Sequence, residues 1–372
     1  MTNLPSAPTD VIRVLLDCRM SSWTGVGRYS VGLARALARR DDVEVVLAVA
    51  AGDTSPVPDA ATLVAQRHPF SLAGARELGR IVRAAAPDIT HCLHFPTPSP
   101  APHPLVVTMH DLAPLLVAGI MPSPLKRAVY RTLNARAVRV ADRLVTDSAF
   151  SLTQIERVFP RAAGRITSIP LAADDFSGGP HEPLAPPLAG LATSPYLLSM
   201  GSTRPHKNLP TLLRAFEHLA PSHPGLRLLL VGADAPGYVA EHLPGAPDSV
   251  RERVVFTGHV ADGELRTLMA GAAAFAFPSR FEGFGLPPLE AMALGAPVVV
   301  ARAASLPEVV GDAALLVEPG DPDALAAALE RILGDAALLD RLVSAGLARA
   351  TEFTWAATAE ATVAVYREVM GS

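Results

Sequence analysis

Short, wholly apolar segments that alternate with helical segments constrain the fold of this chain more than any other feature. The segments at 11–17, 43–50 and 226–232 (VIRVLLD, VEVVLAVA and LRLLLVG) are apolar along most of their length, not at every second position. Strands of this kind belong to parallel sheets that helices cover on both faces. Further strands are predicted at 87–95, 104–111, 142–148, 164–172, 196–201, 253–258, 272–278 and 296–301. The sequence therefore predicts an α/β chain with two doubly wound, Rossmann-like domains and a cleft between them.

The boundary between the two domains is predicted in a proline-rich stretch. Five of the sixteen residues at 180–195 are proline, a composition that is typical of an exposed linker. A chain of 372 residues is also too long for one ordinary core. We therefore expect one domain over residues 1–180 and a second over residues 190–354.

Composition excludes several classes of protein. Hydrophobic residues make up 49% of the chain and charged residues 18%, which argues against disorder. The net charge of −4 gives no basic footprint for nucleic acid. No run of about twenty apolar residues predicts a transmembrane helix, and the N-terminus does not resemble a signal peptide. With only Cys18 and Cys92, widely separated, we expect a cytoplasmic protein without a zinc site.

The string FEGFGLPPLEAMALG (281–295) predicts a strand, a glycine turn and a helix that begins near two prolines. Glu282 precedes the turn and Glu290 lies just inside the helix. Free backbone N–H groups at such a turn, together with the helix dipole, favour an anion. The two carboxylates suit a hydroxyl-rich ligand such as a sugar or a ribose. The alternative is an ordinary strand–turn–helix with surface glutamates.

A second candidate site follows the first strand of the second domain, in GSTRPHKNL (201–209). Arg204 and Lys207 are three residues apart and can both meet a diphosphate, the first as a planar fork and the second as a point charge. Asn208 is the expected cap of the helix that follows. A solvated loop is the alternative.

Histidines close two predicted strands of the first domain. MHDL (109–112) contains His110 and Asp111, which are equally compatible with a structural hydrogen-bonded pair and with contact to substrate. His91 and His94 also lie near a strand end. A glycine turn, GVGRYS (25–30), matches part of a dinucleotide fingerprint, but a tight strand–helix turn explains it as well.

The string at 281–295 resembles the signature of the retaining glycosyltransferases of family 4, in which seven residues separate two glutamates within a GT-B fold. Other segments resemble the same family in the same order and cover most of the chain: TGVGRYSVGLARAL (24–37), VTDSAFS (145–151), GSTRPHKN (201–208) and SLPEVVGDAALLVEPGDPDALAAAL (305–329). The segment at 24–37 is similar to that of mannosyltransferase-like members of the family. By the same resemblance, a C-terminal helix at 355–372 completes the first, acceptor-side domain, and the second domain binds the nucleotide sugar.

The resemblance implies transfer of a sugar, with retention of configuration, from a nucleoside diphosphate sugar such as GDP-mannose. The acceptor is a hydroxyl of a glycan, a lipid-linked acceptor or a small molecule. Glu290 is expected to hold the ribose, while His110 and Glu282 orient the sugar and Asp111 neighbours His110 or contacts the acceptor. The other expected donor-binding residues are Gly27, Gly201, Arg204, Lys207, Gly283, Phe284, Gly285 and Leu286.

No cofactor or metal is expected. DPD (321–323) resembles a metal-binding acid pair, but it precedes a helical segment, where acidic residues serve as caps. The two cations Arg204 and Lys207 and the glycine turn are expected to stabilise the leaving diphosphate instead.

Two other functions remain compatible with this sequence. One is a sugar-phosphate synthase or phosphorylase on the same fold, and the other is a non-catalytic module that binds a nucleotide sugar. The segment LKRAVYRTLNARAVRVADRL (125–144) predicts a basic helix that either packs on its own sheet or contacts anionic lipid. We expect weak membrane association or none.

Overall fold

The structure is a computed structural model that describes residues 11–232, 235 and 237–371. It contains two compact units. Within the described residues, the first unit comprises 11–112, 123–171 and 355–371, and the second comprises 113–122 and 172–354.

The first unit is built on a seven-stranded sheet in which every neighbouring pair of strands is parallel. Its strands are β1 (Ile12–Asp17), β2 (Val43–Ala50), β3 (Ala61–Ala65), β4 (Ile89–Cys92), β5 (Leu105–Thr108), β6 (Arg143–Thr146) and β7 (Ile166–Ser168). The spatial order β3-β2-β1-β4-β5-β6-β7 reverses between β1 and β4. Ligands of doubly wound sheets bind beyond the carboxyl ends of the strands at such a reversal.

The second unit is built on a six-stranded parallel sheet. Its strands are β8 (Tyr196–Met200), β9 (Arg227–Val231), β10 (Val254–Gly258), β11 (Ala274–Phe277), β12 (Val298–Ala301) and β13 (Leu315–Val317). The order β10-β9-β8-β11-β12-β13 reverses between β8 and β11. Both faces of this sheet carry buried apolar clusters, as the continuous apolar segments require.

Helices connect the strands of both sheets. They are α1 (Thr24–Ala38), α2 (Leu72–Ala85), α3 (Ala113–Leu116), α4 (Pro124–Val140), α5 (Ala149–Val158), α6 (Asp174–Ser177), α7 (Pro186–Leu191), α8 (Leu209–Leu219), α9 (Tyr238–His242), α10 (Asp248–Arg251), α11 (Asp262–Ala270), α12 (Leu286–Ala293), α13 (Leu306–Val310), α14 (Pro322–Gly334), α15 (Ala336–Ala350) and α16 (Trp355–Met370). Short 3₁₀ turns occur at Pro160–Ala162, Pro205–Lys207 and Gly311–Ala313.

The division between the units falls at Leu171, before the proline-rich stretch that the sequence indicated as a linker. That stretch packs on the second unit. The Arg266 guanidinium donates to the Pro180 carbonyl (2.8 Å), and the Thr267 hydroxyl donates to the Glu182 carbonyl (2.7 Å). Its prolines therefore fit a segment that lies along a surface and is held there by hydrogen bonds to α11.

Two strands of the sheets carry no clear signal in the sequence. Strand β3 is at the edge of its sheet, is only five residues long and is largely exposed. Strand β13 is an edge strand of only three residues. An edge strand has one neighbour and less buried surface, which leaves a weaker pattern.

The predicted helix at 125–144 ends earlier than its pattern indicated. Helix α4 ends at Val140 because Ala141 adopts extended backbone, and β6 then begins at Arg143. The buried residues of α4 are Asn134, Ala137 and Val138, so the C-terminal half packs inward. Leu125 and Val129 in the first half are 75% and 50% exposed. The predicted apolar stripe is thus buried only in part.

The C-terminal helix α16 belongs to the first unit. Its first residue, Trp355, lies against Gly32 of α1, where an added Cβ would be 2.2 Å from the indole ring. Farther along α16, the Tyr366 hydroxyl is 2.7 Å from Nδ1 of His91 in β4, and both side chains are fully buried. Because Gly32 has no side chain, α1 and α16 can approach closely, and α16 can therefore reach the sheet.

We expect Gly32→Ala to destabilise the first unit by about 1–3 kcal/mol, because the new methyl group overlaps the Trp355 ring. Gly25→Ala on the same helix is the control, since no described atom lies within 4 Å of its added Cβ. We expect this variant to be up to about 1 kcal/mol more stable than wild type, because alanine has a higher helix propensity than glycine. Thermal unfolding followed by circular dichroism measures both. Equal melting temperatures for the two variants would contradict the packing described for α1 and α16.

Candidate functional site

The loops that follow β8 and β11 lie side by side at the reversal point of the second sheet. The backbone N–H of Arg280 donates to the His206 carbonyl (2.7 Å), and the Ser279 hydroxyl donates to the same oxygen (3.1 Å). The Asn208 amide donates to the Pro278 carbonyl (3.1 Å). These contacts bring together the two strings, 201–209 and 281–295, that the sequence predicted as separate candidates.

Asn208 does not cap α8 in the way that the sequence predicted. It occupies the position before the helix, but its φ is +55° and its side chain makes no capping bond to the helix backbone. Its side-chain amide oxygen Oδ1 instead accepts a hydrogen bond from the Thr211 hydroxyl (2.9 Å). The left-handed backbone, which asparagine tolerates, turns its side chain toward the neighbouring loop.

Lys207 and Glu282 form an ion pair across the two loops. Lys207 Nζ is 2.7 Å from Glu282 Oε1, and the two side chains are 19% and 15% exposed. The ammonium also lies 5.2 Å from the centre of the Phe277 ring. Gly201, at φ +145°, lies beside the Lys207 stem, with its added Cβ only 3.3 Å from Lys207 Cδ. The sequence predicted each of the two charges but not their pairing or the ring beneath the ammonium.

Arg204 is exposed and immediately precedes the 3₁₀ turn of the β8 loop. It therefore presents its guanidinium on the same loop as Lys207. Arg204 and Lys207 are thus the two cations that this loop offers to an anion.

The glycine turn between β11 and α12 is held from the loop after β12. The Ser305 hydroxyl lies 2.9 Å from the Glu282 carbonyl and 2.6 Å from the Phe284 carbonyl, and it donates to these two acceptors. Gly285 has φ +117°, and a Cβ there would be 2.8 Å from Leu306. The Phe284 ring packs against Phe353 at 5.8 Å. Ser305 was not predicted as a site residue, although it begins the segment at 305–329 that resembles the family.

Helix α12 starts at Leu286, with prolines in its first turn, and contains the second glutamate. Glu290 is only 2% exposed, and Gly283 and Gly285 are buried in the turn before the helix. The first turn of a helix has backbone N–H groups without intrahelical acceptors. The turn and α12 therefore combine an anion-attracting helix end with an enclosed carboxylate.

His110 follows β5 in the first unit and uses both ring nitrogens inside that unit. Nδ1 is 2.8 Å from Asp147 Oδ2, and Nε2 is 3.0 Å from the Leu93 carbonyl. Burial lowers the pKa of His110, but the charge of Asp147, its hydrogen bond to Nδ1 and the smaller contributions of Asp111 and the Leu93 carbonyl together raise it above its ordinary value of 6.5. The raised pKa favours the protonated form, in which both ring nitrogens are donors.

The partner of His110 is Asp147, whereas the sequence indicated Asp111 as its neighbour. Asp147 follows β6, which pairs with β5, so the two carboxyl strand ends are adjacent. Asp147 lies within the string at 145–151 and is 3% exposed, which makes it a site residue that the sequence did not single out. Asp111 contributes to the raised pKa of His110 only as a weaker, more distant charge.

The other two histidines of this region differ from His110. His91 is fully buried between the Tyr366 hydroxyl and the Thr108 hydroxyl, and burial lowers its pKa to about 3. His94 lies 5.6 Å from the His110 ring, and burial also lowers its pKa. His91 is thus part of the packed interior, while His94 lies beside the candidate site.

Gly27 has a packing role that is visible in the structure. A Cβ at this position would be 2.3 Å from the Ser21 carbonyl oxygen. The loop after β1 thus lies directly on the first turn of α1, as the tight strand–helix turn requires.

The acidic string at 321–323 serves α14. Asp321 accepts from the backbone N–H of Ala324 (2.9 Å), which is the predicted cap, and Asp323 pairs with His218. Among the described residues, no group of three or more histidine, cysteine or acidic side chains has a metal-binding arrangement. Within the same residues, no helix has the length and apolar character needed to cross a bilayer.

Comparison with known proteins matches both units to glycosyltransferase families. Residues 23–175 match the family described as Glycosyltransferase Family 4, and residues 194–335 match the one described as Glycosyl transferases group 1. The O-antigen chain mannosyltransferase B of Escherichia coli is 32% identical over 368 residues, which are 92% of this chain and 96% of that protein.

Solved structures agree at the level of the fold. Sucrose-phosphate synthase from Thermosynechococcus elongatus superposes with a TM-score of 0.77 at 22% identity, covering 97% of this chain and 99% of that one. HepE from Anabaena, in complex with UDP-glucose, gives 0.73 at 19% identity, with coverages of 96% and 100%. The chain has the GT-B fold and belongs to glycosyltransferase family 4. It is therefore a glycosyltransferase, and the mannosyltransferase-like family predicted from the sequence is confirmed.

We expect Asp147→Asn to lower the pKa of His110, because the variant removes the charge that opposes burial. A raised folded-state pKa stabilises the protein fully below about pH 6.5, and this contribution is lost as pH rises through the folded value. Wild type should therefore exceed the variant in unfolding free energy by about 1–3 kcal/mol near pH 5.5, and by less near pH 8.5.

Histidine NMR titration, with His110→Gln used to assign the resonance, measures the pKa directly. Asp111→Asn is the matched control and should lower it less. Equal decreases in the two variants would show that Asp147 is not the controlling partner of His110.

Proposed function

We propose that this enzyme is a retaining mannosyltransferase that uses GDP-mannose as donor and a hydroxyl group as acceptor. One observation carries the proposal: the loops after β8 and β11 unite a lysine, a glycine turn and two glutamates around one helix N-terminus. Its relative from Escherichia coli, named as a mannosyltransferase, supports the choice of sugar. We also propose a cytoplasmic location, since both cysteines are buried and unpaired.

The proposed roles follow from charge. Departure of a nucleoside diphosphate places negative charge on a phosphate oxygen, which Lys207, Arg204 and the backbone N–H groups of the turn from Gly283 to Leu286, at the positive end of the α12 dipole, stabilise. The acceptor oxygen bonds to the sugar C1 as the C1–phosphate oxygen bond breaks, and the acceptor proton passes to the departing phosphate oxygen. Attack from the face that the phosphate leaves accounts for retention. Lysine and arginine supply the positive charge in this scheme, so we propose that no metal is required.

The two glutamates are proposed to act differently. Glu290 is enclosed, and we assign it to the ribose hydroxyls. Glu282 is paired with Lys207, and we assign it to the transferred sugar. We assign His110 to the transferred sugar: Asp147 orients the ring through Nδ1, and Nε2 exchanges the Leu93 carbonyl for a sugar hydroxyl.

Association with membranes is proposed to be weak. Helix α4 exposes Leu125 and Val129 beside Lys126 and Arg127, a small apolar surface with positive charge. Such a surface favours anionic lipid, with about 1 kcal/mol for each nearby cation.

Glu290→Gln should weaken binding of GDP about ten- to a hundredfold, because a charged acceptor of ribose hydroxyls contributes about 1.5–3 kcal/mol. Glu282→Gln should leave GDP affinity unchanged or raise it, since Lys207 loses its competing partner, while turnover falls. Isothermal titration calorimetry with GDP and initial-rate assays measure both effects. Glu330→Gln, on the exposed pair with His223, is the control. Similar affinity losses for Glu282→Gln and Glu290→Gln would contradict the separate roles.

One reaction tests the function as a whole. GDP-mannose and methyl α-mannopyranoside are incubated with the enzyme in excess EDTA, and the fresh product is examined by proton NMR. We expect an α-linked mannoside and GDP. A β-linked product would exclude retention, and a requirement for added magnesium or manganese would exclude metal independence. Transfer only to orthophosphate or a sugar phosphate would instead identify a phosphorylase or synthase.

A further inference from the structure

Four rings follow one another along the carboxyl edge of the first sheet. Trp23 and Phe70 have ring centres 5.8 Å apart, Phe70 and His94 6.1 Å, and His94 and His110 5.6 Å. We call Trp23, Phe70, His94 and His110 the aromatic run. It leads from the surface of the first unit to the histidine assigned to the transferred sugar.

The outer end of the aromatic run is held by a buried ion pair. Arg19 makes two bonds to Asp17 at the end of β1 (2.6 and 2.7 Å) and donates to the Gly74 carbonyl of α2 (3.2 Å). This ties the loop that carries Trp23 to the helix that follows the loop of Phe70. The loop before α2 also packs closely, since a Cβ on Gly74 would be 2.2 Å from the His68 carbonyl oxygen. The two outer rings are therefore fixed relative to each other.

Exposure decreases along the run. Trp23 is 44% exposed, Phe70 is half-buried, and the side chain of His110 is 12% exposed. An exposed indole presents a large, rigid apolar surface with a polar N–H at its edge, which suits it to a binding surface. The run therefore offers an apolar platform that is open at one end.

The inner end of the run is polar and incompletely bonded. His94 Nδ1 and Asp147 Oδ1 are buried, and neither has a hydrogen-bond partner among the described residues. Asp147 as a whole is 3% exposed. A buried polar atom without a partner costs about 1–3 kcal/mol, so such atoms mark places where a ligand hydroxyl is accepted. His94 is neutral near pH 7, because burial lowers its pKa.

We propose that the aromatic run is the acceptor subsite, in which the terminal sugar ring of a glycan lies on Trp23 and Phe70 and directs a hydroxyl toward His94. This inference rests on the proposed function and adds the class of acceptor. One face of a pyranose is a patch of C–H groups that fits a flat aromatic ring, and its rim of hydroxyls matches the polar inner end. The guanidinium of Arg19 is already bonded to Asp17 and Gly74, so it is committed to the fold.

Tryptophan fluorescence tests binding without catalysis. The chain has two tryptophans, and Trp355 is 6% exposed, so an added sugar should change the emission of Trp23 alone. We expect saturable change with methyl α-mannopyranoside or a mannobiose, and loss of that change in Trp23→Phe. A change with inositol phosphate or with phosphatidylglycerol vesicles, and none with the mannosides, would overturn the proposal.

Kinetics separates the acceptor from the donor. Trp23→Ala and Phe70→Ala should each raise the acceptor KM about tenfold, or about 1.4 kcal/mol, with the donor KM and the acceptor-free hydrolysis of GDP-mannose unchanged. Trp23→Phe should restore most of the loss. Leu347→Ala, which removes an exposed side chain from α15, is the control. Circular dichroism and Trp355 emission establish that each variant is folded.

The two proposals fail in different ways. An acceptor KM within twofold of wild type in both alanine variants would reject the acceptor subsite, even if transfer proceeds as proposed. Absence of both transfer and donor hydrolysis in wild type would reject the proposed donor. Sugar binding at Trp23, read by fluorescence, is measured independently of that result.

Discussion

When both faces of a parallel sheet are covered by helices, polar side chains can cluster in the loops at the carboxyl ends of its strands. In the first sheet these ends carry Trp23, His94, His110 and Asp147, and in the second they carry Gly201, Lys207, Glu282 and Ser305. The sheets themselves are almost wholly apolar, and their buried strands hold the loops at fixed spacing of about 5 Å between neighbours. The chemistry of this enzyme depends on that spacing, because each candidate site combines residues from loops of adjacent strands.

The second unit shows how loops become a rigid site. Two hydrogen bonds to the His206 carbonyl, one from Asn208, and the Ser305 hydroxyl connect loops that are distant in sequence. The Lys207–Glu282 pair adds charge to this framework. A cation that is already oriented loses little freedom when it meets a diphosphate, and this preorganisation is a main source of electrostatic catalysis.

The first unit holds three histidines in different states within a small region. Burial lowers the pKa of His91 and of His94, whereas the contacts of His110, above all those with Asp147, outweigh burial and raise its pKa. The Thr108 hydroxyl lies 2.8 Å from His91 and 2.9 Å from the Tyr29 hydroxyl, and the Tyr29 ring meets His110 edge-on at 4.9 Å. Since His91 also bonds to Tyr366, helix α16 supports the side chains behind His110.

The sequence by itself determined the α/β class, the two repeated sheets and the glycosyltransferase family, because these depend on local patterns. Continuous apolar runs predict buried parallel strands, and glycines with positive φ, such as Gly201 and Gly285, stand in turns that the string motifs already indicated. The edge strands β3 and β13 were missed because apolar segments of five and three residues are too short to be distinguished from loops.

Only the tertiary structure decided which charges meet. The pairing of Lys207 with Glu282, of His110 with Asp147 and of Ser305 with the glycine turn joins residues that are 21 to 75 positions apart. Their contacts depend on strand order and on the shapes of several loops at once. The same holds for the aromatic run, whose rings come from four loops and become neighbours only when the sheet forms. A linear sequence specifies the residues of such a site, but the fold specifies their distances, burial and protonation.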